Sequence, residues 1–260
     1  MSANKEPHYF VRDYGVEKLE DYLALFKGAE GKKAIGESST LYLFCEESPE
    51  WIKSELGPIK IIVVLRNPAR RAFSLYGWMV REGYEDATTF DEALQREQAR
   101  LSDANFRGTC PQFYVDYLYF TSGLYAAQVR RYLEVFGRRN VRIFLFEDFV
   151  KAPVGTCREI FEFLNVQTNF IPNTGHFNEG RMPRSIPLQF WLRNRCHRLP
   201  FPRAWRQKLV SQLMELNLRR GPAPQADPVV QRTLIDRYRD NLRQLEGLIE
   251  RDLSKWYNLN

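Results

Sequence analysis

Residues 60–76 read KIIVVLRNPARRAFSLY. Five apolar residues in succession, Ile61, Ile62, Val63, Val64 and Leu65, stop at Arg66. Asn67 and Pro68 follow, and Arg70, Arg71 and Ser74 then fall on a helical pattern. The apolar run predicts a strand over 59–65, buried on both faces of a parallel sheet. Asn67 suits a helix cap and Pro68 the first helical position. A strand that ends in a cation and turns straight into a helix is a site for an anion. The helix start is expected to offer unpaired N–H groups and the positive end of the dipole. Arg66 adds a fixed charge with a planar donor fork suited to a phosphate. Ser74, one turn beyond Arg70 on the same face, adds a hydroxyl.

Helices and strands alternate on both sides of this stretch. Val16, Leu19, Tyr22, Leu23 and Phe26 are spaced for a helix over 16–26. Residues 33–44 read as a short strand broken by a turn at Gly36-Glu37-Ser38-Ser39. Ser48-Pro49 opens a helix, with the serine as its cap. Thr89 and Glu92 form a T-x-x-E capping box for a helix reaching about Arg100. A helix over 125–136, a strand over 141–146 and a helix over 157–164 follow. Asp227-Pro228 starts a long amphipathic helix with Val230, Leu234, Tyr238, Leu242, Leu245 and Ile249 on one side. Residues 171–202, rich in Pro, Asn and Arg, form the most irregular part. The pattern predicts one α/β domain over 1–260, with a central, mainly parallel sheet flanked by helices.

The chain has 260 residues, 44% hydrophobic and 27% charged, which excludes a disordered polymer. Its net charge of +6 suits an anionic ligand, a nucleic acid or an acidic surface and does not choose among them. Cys45, Cys110, Cys157 and Cys196 lie far apart, without metal-ligand spacing. Reduced thiols in a cytoplasmic setting are the default expectation, and no metal is expected. No apolar run approaches the roughly 18 residues of a membrane span. The N-terminal MSANKEPHYF lacks the apolar core of a signal peptide. Oligomeric state is not encoded in any feature of the chain.

Within EPHYF, Glu6 and His8 lie two apart, so an extended segment projects both to one side. A carboxylate beside an imidazole is an acid/base pair, although a solvated pair is the ordinary case near a terminus. The segments EPHYF, GESSTLYL, KIIVVLRNPARRAFSLY, FEDF and DPVVQRTLIDRYRDNLRQLEGLIERDLSKWY occur in the order of one family. The chain resembles sulfotransferases that use 3′-phosphoadenosine 5′-phosphosulfate (PAPS), in particular bacterial members related to the heparan sulfate sulfotransferase domains.

The resemblance implies a three-layer, P-loop-like fold, PAPS as co-substrate, and transfer of a sulfuryl group to a hydroxyl or amine. Arg66 and Ser74 would hold the 3′-phosphate. Glu6 would be the base toward the acceptor, with His8 beside it. Tyr125, in SGLYAAQ, would lie near the nucleotide, or else pack as a helix aromatic. Arg184, in MPRS, or Arg181 would belong to the loop that closes over the nucleotide. Relatives of the heparan type carry a lysine after the glutamate of the GES segment, where this chain has Ser38. His176 and His197 read as structural or exposed.

The family's K-x-G-T-T loop, which wraps the 5′-phosphosulfate, and the strand before it stand upstream of the EPHYF-like segment in relatives. Neither K-x-G-T-T nor G-x-x-x-x-G-K-[ST] occurs in this sequence. The expectation is therefore an N-terminally truncated domain, without the first strand and loop, and with little or no turnover. The basic balance and many aromatics favour a saccharide acceptor. Two alternatives stay open. One is an inactive remnant binding adenosine 3′,5′-bisphosphate or an anionic glycan. The other is a basic nucleic-acid-binding protein, which has only charge in its favour.

Overall fold

The computed structural model describes residues 1–12, 14–173, 181–196, 202–219 and 225–257. His176 and His197 lie outside the described residues. The elements in chain order begin with α1 (Leu19–Ala24), α2 (Ser48–Leu56), β1 (Ile61–Leu65) and α3 (Pro68–Arg81). Next come α4 (Phe90–Ser102), α5 (Phe106–Thr109), α6 (Tyr125–Phe136), β2 (Val141–Leu145) and α7 (Phe146–Lys151). The chain continues with α8 (Pro153–Leu164), α9 (Ile186–Asn194), α10 (Arg203–Leu216), α11 (Pro228–Ile249) and α12 (Ser254–Tyr257). The class is α/β, with a parallel pair of strands and flanking helices.

Contacts divide the chain into two compact units, each built from separate stretches. The first comprises Met1–Arg66, Tyr125–Gly175 and Asn241–Asp252. The second comprises Asn67–Leu124, His176–Asp240 and Leu253–Asn260.

In the first unit β1 and β2 pair in parallel, from Ile61 opposite Val141 to Leu65 opposite Leu145. Val63, Leu65, Val141, Phe144 and Leu145 are buried, but Val64 is 50% exposed. The expected burial of β1 on both faces is therefore corrected. A run of β-branched residues registers strand propensity as well as burial and cannot separate the two. An aromatic cluster holds the N-terminal segment in place. Tyr9 stacks on Tyr22 at 4.7 Å, and Phe10 meets Tyr22, Tyr42 and Trp51 edge-on. Arg131 and Tyr132 of α6 donate to the carbonyls of Phe44 and Tyr42, fixing the segment before α2.

Three local expectations are also corrected. Residues 33–39 are irregular and Thr40–Leu43 forms a 3-10 turn, because among the described residues no strand pairs with this segment. Ser48 sits inside α2 rather than capping it, and its hydroxyl donates to the Phe10 carbonyl at 2.6 Å. The first helix is only six residues, Leu19–Ala24, with turns after it and no side-chain cap on Lys18.

In the second unit α3 buries Ala69, Ala72, Tyr76, Met79 and Val80 on one stripe. Thr89 caps α4 by accepting from the Glu92 N–H, as its motif predicts. The Glu92 carboxylate bonds Thr88 instead of closing the box on Thr89. A buried polar network fixes the loop before α4 and the 3-10 turns after α5. Glu85 accepts from the Asp86 and Ala87 N–H groups, the Tyr119 hydroxyl and Arg100. Glu97 accepts from the Phe120 and Thr121 N–H groups and the Thr121 hydroxyl. Along α11 the buried positions, Leu234 and Tyr238 in this unit and Leu242 and Leu245 in the first, follow the helical period read from the sequence.

Candidate functional site

The N-terminal segment does not run extended. Glu6 and His8 both adopt left-handed backbone angles, with φ of 54° and 52°. This corrects the geometric reason given for pairing them, while the pairing itself stands. His8 Nε2 lies 3.4 Å from Glu6 Oε2. The turn is imposed by tertiary contacts. Val16 donates its N–H to the Pro7 carbonyl, and Val11 donates to the His8 carbonyl. Gly15 closes on this turn so tightly that a Cβ there would meet the Pro7 oxygen at 2.2 Å.

Glu6 is the exposed end of a polar chain. Its Oε2 accepts from the Thr40 hydroxyl at 3.1 Å as well as facing His8. Its Oε1 lies 3.6 Å from the Lys5 ammonium. The hydrogen bond with His8 is the largest influence on the Glu6 carboxyl and lowers its pKa. Partial burial opposes this, and Thr40 and Lys5 add to it. Glu6 is therefore ionised at neutral pH with its side chain 30% exposed, while the His8 side chain is only 4% exposed. The His8 backbone N–H donates to the Ser39 hydroxyl, which donates to Glu37 Oε2. Burial, with Glu37 adding to it, raises the Tyr22 and Tyr42 hydroxyls, so both remain neutral donors. Ser38 is exposed. Thr40 and Lys5 are the members of this cluster that sequence reasoning missed. Thr40 lay in the quoted GESSTLYL segment, but nothing in spacing showed that its hydroxyl reaches back 34 residues.

Arg66 follows β1 and is half-buried, with its guanidinium 5.0 Å from the Phe146 ring centroid. Tyr125, at the start of α6, is buried, and its hydroxyl donates to the Arg66 carbonyl at 3.1 Å. Tyr125 thus holds the backbone that carries the cation, and its burial matches the helix-packing reading.

The α3 start differs from expectation in one respect that matters chemically. Pro68 has no N–H, and Asn67 Oδ1 accepts from both Ala69 and Arg70. Arg71 donates its N–H to the Asn67 carbonyl. The first-turn donors expected to meet an anion are therefore taken by the cap. What remains for an anion is the dipole and side-chain chemistry. In the second unit Ser74 is exposed on α3, while the Arg71 guanidinium is committed to the Tyr119 carbonyl.

Arg181 and Arg184 flank a small antiparallel bridge between Pro183 and Leu218. The Arg184 N–H donates to the Asn217 carbonyl, and the Arg219 N–H to the Met182 carbonyl. Arg181 is ion-paired with Glu215 at 2.5 Å, whereas the Arg184 side chain is exposed. Of the two candidates, Arg184 is the better placed to meet a ligand. No group of three or more His, Cys, Asp or Glu side chains is arranged to hold a metal among the described residues. No helix among them is long and apolar enough to cross a membrane.

Comparisons with known proteins converge on one family. A family model described as "Sulfotransferase domain" matches residues 4–182. The heparan sulfate glucosamine 3-O-sulfotransferase 5 of Mus musculus is 25% identical over 182 residues, covering 70% of this chain and 50% of that protein. The heparan sulfate glucosamine 3-O-sulfotransferase 3B1 of Homo sapiens is 25% identical over 181 residues, covering 69% of this chain and 43% of that protein. These alignments span half or less of the curated relatives' length. The crystal structure of a sulfotransferase from Alicyclobacillus acidocaldarius superposes with a TM-score of 0.74 at 28% identity. It covers 99% of this chain and 87% of the other.

Proposed function

The chain belongs to the sulfotransferase domain family, and from that premise we propose that it moves a sulfuryl group from PAPS to a hydroxyl or amine of a saccharide. The observation that carries this reading is the Glu6 cluster. An ionised, partly exposed carboxylate has one oxygen committed to Thr40 and His8. Its Oε1 lies 3.6 Å from the exposed Lys5 ammonium and is the oxygen we assign to the acceptor hydroxyl.

In the proposed step Glu6 Oε1 takes the acceptor proton as the acceptor oxygen bonds to sulfur. The bond from sulfur to the bridging phosphate oxygen breaks, and its electron pair leaves with adenosine 3′,5′-bisphosphate. A lowered pKa makes Glu6 a weak base that is always ready. General-base help of this kind is worth roughly 10²–10⁴-fold. His8, buried beneath, sets the carboxylate's orientation. Arg66 and Ser74, eight residues apart in the quoted motif, are assigned to the nucleotide's 3′-phosphate. Tyr125 fixes the Arg66 backbone, and Arg184 is assigned to the nucleotide-covering loop with Arg181 beside it. The saccharide assignment rests on the heparan sulfate relatives and on the chain's many aromatics.

The test is transfer of radiolabelled sulfate from PAPS to a panel of polysaccharides, amino sugars and simple alcohols. Any label is expected on a saccharide, and because the sequence holds no K-x-G-T-T loop for the 5′-phosphosulfate the rate is expected to be low. Glu6→Gln should lower the transfer rate by about 10²-fold or more while leaving nucleotide affinity unchanged. Nucleotide binding without any transfer would assign the chain a binding role instead. Unchanged transfer in Glu6→Gln would remove Glu6 from the chemistry.

A further inference from the structure

In the second unit, positive charge and most of the exposed large apolar side chains fall on the same stretch of sequence. Between 181 and 220 the sequence holds ten Lys or Arg and one acid, Glu215. That is a local +9 against +6 for the whole chain, so the rest of the molecule is net acidic. The same stretch contains α9 and α10, which pack on each other.

Six large apolar side chains on this pair are exposed: Leu188, Trp191, Trp205, Leu209, Leu213 and Leu216. Trp205 is 79% and Leu216 72% exposed. At about 100° per residue, the four α10 members fall within roughly 80° of one another and make one stripe. Arg206 and Lys208 border that stripe on its two sides. Arg195 and Arg219, both exposed, add charge on neighbouring segments.

We propose that this α9–α10 face docks on an anionic lipid surface, with the stripe entering the headgroup boundary and the flanking cations meeting lipid phosphates. An apolar strip that contains tryptophan and is edged by Lys and Arg is the chemistry of a helix lying in a membrane interface. Four exposed leucines are what separates a bilayer from a soluble polyanion. Sugar hydroxyls and sulfates gain nothing from leucine, whereas acyl chains do. The charge complementarity is local, because the chain outside this stretch is acidic. Docking here adds a surface to the sulfotransferase reading and does not depend on it.

The test uses the whole chain with phosphatidylcholine vesicles, with and without a quarter of phosphatidylglycerol. Sedimentation should show uptake by the anionic vesicles only, weakening as salt rises, with a blue shift of tryptophan emission. Trp205→Ala and Leu216→Ser should each reduce uptake by about tenfold. Lys208→Glu should reduce it by about fivefold or more. All three positions are on the surface, so urea midpoints should stay at the wild-type value. Absence of uptake, or uptake unchanged in Trp205→Ala and Leu216→Ser, overturns the proposal. So does dextran sulfate binding as tightly as the anionic vesicles with no emission shift. Self-association that Trp205→Ala abolishes would give the face to a second copy and also overturn it.

Discussion

Replacing Asn67 by alanine separates the local chemistry of the strand–helix turn from its sequence appearance. Asn67 is buried, its Oδ1 accepts from the Ala69 and Arg70 N–H groups, and its Nδ2 donates to the Trp256 carbonyl at 3.0 Å. Loss of the cap costs about 0.5–2 kcal/mol. Loss of the donor to a buried carbonyl costs about 1 kcal/mol more. The expected total for Asn67→Ala is about 1.5–3 kcal/mol, read as a shift of the urea midpoint with unchanged slope. Asn67→Ser keeps a capping oxygen but loses the Nδ2 donor to Trp256, so it should cost about 1 kcal/mol. The alanine variant also releases two first-turn N–H groups. Added sulfate should therefore raise its midpoint more than that of the wild type, since such groups bind anions. An alanine variant no less stable than the serine variant, or equal sulfate effects, would refute the reasoning.

Other perturbations test other parts of the structure. The Glu6 carboxyl is held below its ordinary value, chiefly by His8. Its stabilising contribution is thus complete above the unfolded pKa and is lost as pH falls through the folded one. Glu6→Gln should flatten the acid side of a urea-midpoint profile below about pH 4.3, and an unchanged profile would contradict the cluster geometry. Gly123→Ala places a methyl 2.5 Å from the buried Tyr238 hydroxyl, which donates to the Tyr119 and Phe120 carbonyls. A loss of about 1–3 kcal/mol is expected in chemical denaturation, partly relieved by Tyr238→Phe. Glu85→Gln leaves the buried Arg100 without its carboxylate partner. It should cost about 3–5 kcal/mol, far more than any change to the exposed Arg239–Asp236 pair, whose worth is about 0–1 kcal/mol.

The elements legible in the sequence were those whose pattern is local. The period of apolar residues gave α6 over the same residues, 125–136, and the inward positions of α11. Thr89 marked the start of α4 because a cap acts within one turn. Asn67 was legible as a cap, yet its consequence was not. The oxygen that marks a helix start also uses up the donors an anion would need. The Glu6–His8 pair was found through spacing but for the wrong backbone. Positive φ at both residues is imposed by contacts with Gly15 and Val16 that no local pattern encodes. Thr40 was missed for the same reason. Its hydroxyl meets Glu6 only because the aromatic cluster of Tyr9, Phe10, Tyr22 and Trp51 folds the N-terminal segment onto residues 37–42.

Arg66, at the end of β1, is the cation proposed to meet the phosphate on the nucleotide's ribose. Calorimetric titration with adenosine 3′,5′-bisphosphate and with adenosine 5′-monophosphate tests this role most directly. The bisphosphate should bind the wild-type chain and lose about 10–100-fold in affinity in Arg66→Ala, the worth of a charged hydrogen bond. The monophosphate, which has no 3′-phosphate, should bind more weakly and be indifferent to that substitution. Equal affinity for the bisphosphate with and without the Arg66 guanidinium would contradict the account.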